Sequence, residues 1–118
     1  MTELELAVPP EFEIADVASR IEEAADELGL TLRTRGALGK YRGSTHWHYG
    51  QTGKSGTLEL TFWPMQRRCW IAVHTGRSAA WVPQAAEALR LNLNDSFLKA
   101  AGSHSQTTAL SETTQCVR

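Results

Sequence analysis

Apolar residues at Ile14, Val17, Ala18, Ile21, Ala24, Ala25 and Leu28 recur at three- and four-residue spacing, with Asp16, Glu22, Glu23, Asp26 and Glu27 on the opposite side. That period predicts an amphipathic helix with one buried stripe. Pro9-Pro10 suits a first helical turn, and Gly29 followed by Leu30 supplies a left-handed stop. The helix is therefore expected from about Pro10 to Leu28. A second stripe, formed by Val82, Ala85, Ala86, Leu89, Leu93, Phe97 and Ala100, predicts another helix that ends at Gly102. Asn92-Leu-Asn-Asp95 prefers caps to helix interiors and predicts a kink or split within it.

Between the helices the period changes to two. Thr45–Tyr49, Thr57–Trp63 and Cys69–Thr75 are β-branched and aromatic segments bounded by turn-formers, and they read as strands. Gly50–Gly56 is a loop by composition, and Pro64–Arg67 is short enough for a hairpin. Leu30–Gly43, punctuated by Gly36, Gly39 and Gly43, reads as extended, a candidate bulged edge strand. The expected fold is α+β: a two-layer sandwich with an antiparallel meander of three to four strands and two helices on one face, in the order α-β-β-β-β-α. Residues 1–8 are expected to form an N-terminal arm, 9–101 one domain and 102–118 a disordered polar tail. From Pro10 to Gly102 the helix–strands–helix order resembles the double-stranded RNA-binding domain. That family's lysine cluster at the start of the second helix is replaced here by Trp81-Val-Pro-Gln-Ala-Ala-Glu-Ala, so the resemblance implies order alone.

Alternation assigns the faces. Leu58, Leu60 and Phe62 belong to the core side, as do Cys69, Ile71 and Val73. A four-residue turn aligns Phe62 with Cys69, Leu60 with Ile71 and Trp63 with Arg68, so the two apolar sets agree. Trp47 and Tyr49 are the bulkier alternating pair of their strand and should also point inward. His46, His48, Glu59, Thr61, Trp63, Trp70 and His74 then gather on the face without helices.

Charge adds a second asymmetry. The first thirty residues carry nine acids against Arg20, a net −8, while Arg33–Arg77 carries eight bases against Glu59, a net +7. Either the two regions attract each other within the fold or the basic middle meets an anionic partner. Two cysteines are too few for a disulfide framework, and the acidic start has no basic, then apolar, leader pattern. A cytoplasmic location without membrane insertion is expected.

Candidate chemistry lies on the face without helices. Trp63 and Trp70, edged by Lys40, Arg42, Arg67 and Arg68, have the components to bind single-stranded nucleic acid or another anionic ligand. The same aromatic and arginine residues suit a protein partner or a second copy of the chain. His46, His48, Glu59 and His74 are the candidate ligands for a divalent metal, zinc or iron, in a small metal-dependent enzyme. Binding through this face is the leading expectation and metal-dependent catalysis the alternative. Gly50-Gln-Thr-Gly-Lys-Ser is not a phosphate-binding loop, because His48 stands where the motif's first glycine is required and a strand follows instead of a helix.

Overall fold

A computed structural model describes residues 2–74 and 79–109. Five antiparallel strands, β1 (Thr2–Ala7), β2 (Thr31–Gly36), β3 (Thr45–Gly50), β4 (Leu58–Trp63) and β5 (Arg68–Val73), lie in the order β1-β5-β4-β3-β2. Helix α1 (Ile14–Glu27) follows β1, and α2 (Trp81–Ala109) follows β5. The fold is α+β, with five strands in place of three or four. The additional strand is the stretch expected to be an N-terminal arm.

Thr2-Glu-Leu-Glu-Leu-Ala alternates polar and apolar residues, and it pairs with β5 from Thr2↔Val73 to Ala7↔Arg68. Leu6 is thereby buried, while Glu5 lies on the other face and forms a two-pronged ion pair with Arg68, at 3.0 Å on each side. The two glutamates of this segment mark its solvated face.

Helix α1 starts later than expected, at Ile14. The chain first makes a turn closed by the Phe12 N–H on the Pro9 carbonyl, and the Phe12 ring packs edge-on against Phe97 of α2 at 4.9 Å. Its end follows the glycine stop: Gly29 takes φ 75°, its N–H donates to Asp26 O, and Leu30 N–H donates to Ala25 O. β2 is fully exposed along its length and carries the expected irregularity, a register shift between Leu32 and Thr34. The expected extended stretch ends at Gly36, and Ala37–Ser44 forms a loop. α2 is continuous through Asn92–Asp95, where the Asn92 amide donates to Glu27 of α1. It also runs past Gly102 to Ala109, so the first part of the expected tail is helical; adding residues to a nucleated helix costs little. Residues 110–118 lie outside the described residues.

The β4–β5 register is the expected one, with Phe62↔Cys69, Leu60↔Ile71 and Trp63↔Arg68. Leu58, Leu60, Trp47, Ile71 and Leu6 form one core with Val17 and Ile21 of α1 and with Val82, Leu89 and Leu93 of α2. Residues of both helices thus share one buried cluster with inward side chains of the sheet. The Trp47 indole donates to Glu22 at 2.9 Å, and Arg35 of β2 pairs with the same carboxylate. Glu22 is held below the usual carboxylate range chiefly by the Trp47 hydrogen bond, with Arg35 adding to it and burial opposing it.

Candidate metal centre

Alternation along β3 puts His46 and His48 two residues apart on the face opposite the buried Trp47 and Tyr49. Their cross-strand partners on β4 are Thr61 and Glu59 respectively. Glu59 in turn faces Ala72 of β5. Because that residue is small, the His74 ring, two positions further along the chain, reaches Glu59 with Nε2 at 2.7 Å from Oε2. The four residues expected to meet here do so.

His46 Nε2 lies 2.9 Å from His48 Nε2 and 3.4 Å from Glu59 Oε1, and His48 Nε2 lies 4.0 Å from the same oxygen. A point about 2.0 Å from all three atoms exists inside this triangle, matching the ~2.0–2.2 Å of zinc–nitrogen and zinc–carboxylate bonds. His74 contacts the other carboxylate oxygen and is not a member of the triangle.

The surroundings of His46 favour its unprotonated form. Burial holds His46 below the usual histidine range, and the neighbouring His48 acts in the same direction against the opposing pull of Glu59. His46 Nδ1 lies 2.7 Å from the hydroxyl of Thr61, which is itself 1% exposed. An imidazole anchored at Nδ1 presents Nε2 in a fixed direction, as metal-bound histidines usually do. The alternation pattern places Thr61 on this face, but its anchoring role depends on the cross-strand register with His46.

A cleft of about 470 Å³ opens beside these groups, its far wall formed by Thr34, Gly36, Ala37 and Leu38. It owes its wall to the end of β2 and the loop that follows.

The aromatic and basic candidates are arranged differently. Tyr41, in the same loop, packs on Trp63 and Trp70 with ring centroids at 4.9 and 5.0 Å. Trp70 is consequently buried, and the Trp63 indole donates to the Arg42 carbonyl at 3.0 Å. The Arg68 guanidinium lies over Trp70 at 4.7 Å while it pairs with Glu5. Arg67 takes a left-handed conformation in the hairpin, φ 48°, and donates to the carbonyls of Pro9 and Phe12. Lys40 sits against the Tyr41 ring, at 5.6 Å from its centroid. Trp63, Trp70, Arg68, Lys40 and Arg42 are therefore brought together around Tyr41, and Arg67 is not. Tyr41 escapes sequence reasoning because its glycine-punctuated segment has no periodicity to assign a face.

Among the described residues, no helix is long and apolar enough to cross a membrane. Comparison of the chain with family models, curated proteins and solved structures gives no match.

Proposed function

We propose that this chain is a divalent-metal-binding domain, with an ion of the zinc or iron(II) class held by His46 Nε2, His48 Nε2 and Glu59 Oε1. The observation that carries the reading is the ion-sized triangle of donor atoms on strands whose cores are fully packed. Two imidazoles and one carboxylate suit both zinc and non-haem iron(II), and they leave coordination positions open. His74 acts through Glu59, fixing the carboxylate by its second oxygen. In a two-layer arrangement the ion would sit on the side of the sheet away from both helices, and its open positions would give it Lewis-acid capacity. This favours the metal-dependent reading over the anionic-ligand one. Trp70 is covered, Arg67 and Arg68 are engaged within the chain, and a nucleic acid would be left with Trp63, Lys40 and Arg42. The same covering weakens the case for a protein partner or second copy docking on these aromatics.

Thermal unfolding of metal-free protein tests the proposal. Zinc at about 100 times its Kd should stabilise the fold by about 2.7 kcal/mol, since the unfolded chain does not hold the ligands together. His48→Ala should abolish the rise, and replacement of His104, the remaining histidine of the chain, should leave it intact. Absence of any shift with zinc, iron(II), nickel or manganese would refute it.

A further inference from the structure

We infer that the cleft beside His46, His48 and Glu59 takes a small monoanionic carboxylate bearing a second oxygen donor on the adjacent carbon, bound by chelation to the metal. The inference rests on the metal reading above. All three protein donors come from one sheet face and line the cleft, so a ligand entering the cleft would reach the positions that they leave free. Two adjacent open positions suit a ligand that offers two oxygens in a five-membered chelate. The ion and Glu59 together carry one net positive charge, which a single carboxylate neutralises.

The wall sets the rest of the specificity. Thr34 offers a hydroxyl, and Gly36, Ala37 and Leu38 offer no charge. Arg35 also lines the cleft, but its guanidinium is committed to Glu22, the carboxylate that takes the indole N–H of core-facing Trp47. No lysine lines the cleft among the described residues, so a phosphate dianion finds no second cation. A short hydrocarbon tail can rest on Ala37 and Leu38.

The test uses the full chain loaded with cobalt(II), whose visible spectrum reports its ligands. The probes are 2-hydroxybutanoate, butanoate and inorganic phosphate. The chelator should change the cobalt spectrum and bind about tenfold or more tighter than butanoate, because its second donor attaches at high effective concentration. Phosphate should bind no tighter than butanoate. Ala37→Glu should weaken 2-hydroxybutanoate binding by about fivefold, and Ala37→Lys should strengthen it and admit phosphate, the signs following from charge. The same charges act on the ion with the opposite sign, so cobalt affinity should rise in Ala37→Glu and fall in Ala37→Lys, and ligand binding is compared on fully cobalt-loaded protein. Equal binding of 2-hydroxybutanoate and butanoate, or shifts of the two Ala37 variants in the same direction, would overturn the inference while leaving the metal reading in place. Failure of cobalt to bind would overturn both.

Discussion

On the helix side of the sheet, Trp47, Leu58, Leu60, Cys69 and Ile71 have no exposed surface. On the other side of the same strands, His46, His48, Glu59 and His74 keep 14, 38, 22 and 32% of their side-chain surface. The first face is held by apolar area, which is non-directional and summed over many residues. The second is held by individual directed contacts, each with one donor and one acceptor. Adjacent residues in one strand thus answer to different physics. Shape and volume matter on one side, and atom identity and position on the other. Loss of one group should accordingly be felt as stability on the helix side and as ligand affinity on the open side.

The largest effect should come from crossing the two faces in one experiment. Leu60→Ala removes a fully buried side chain next to Trp47 and Ile71 and should lower stability by about 2–5 kcal/mol in urea unfolding. The variant should still be stabilised by zinc. His48→Ala should do the converse, changing metal-free stability by about 0.5 kcal/mol or less while losing the zinc response. A Leu60→Ala protein that folds but ignores zinc would show that the faces are not separable.

A smaller effect is expected from His74→Ala, which leaves the donor triangle intact and frees Glu59 Oε2. Zinc affinity, measured by competition with a chelator, should fall about 10–100-fold, the usual cost of removing a group that orients a ligand. An unchanged affinity would remove His74 from the site.

The smallest effect concerns pH in the metal-free protein. Burial lowers the His46 pKa in the folded state relative to the unfolded value near 6.5. Below that value the unfolded chain binds more protons at this position, so His46's contribution is complete above about pH 6.5 and is lost as pH falls. His46→Gln should flatten the stability profile on the acid side of that point. A variant profile parallel to wild type would show that His46 is not buried in its neutral form.

Much of this was legible before any tertiary contact was known. Alternation in Thr57–Trp63 and Cys69–Thr75 sorted the core residues from Glu59, Trp70 and His74, and the length of Pro64–Arg67 set their register. The His46/His48 pair followed from the bulk of Trp47 and Tyr49. The glycine stop at Gly29 and an extended stretch after Leu30 were also readable, since each depends on residues close in sequence, whereas the place of the register shift between Leu32 and Thr34 was set by pairing with β3.

Other features were decided only by the folded chain. Glu3 and Glu5 disguised β1, whose strand character depends on β5 more than sixty residues away. The charge asymmetry along the chain resolved partly into internal pairs, Glu5 with Arg68 and Glu22 with Arg35, which no count of charges could distinguish from a binding surface. The loop Ala37–Ser44 has no period, so nothing local told that Tyr41 would cover Trp70 or that Ala37 and Leu38 would wall a cleft. Periodicity assigns a side chain to a face because the backbone repeat is local and regular. The distance between His46 Nε2, His48 Nε2 and Glu59 Oε1 depends on strand pairing, rotamers and anchors such as Thr61, and these are set by packing between segments remote in sequence.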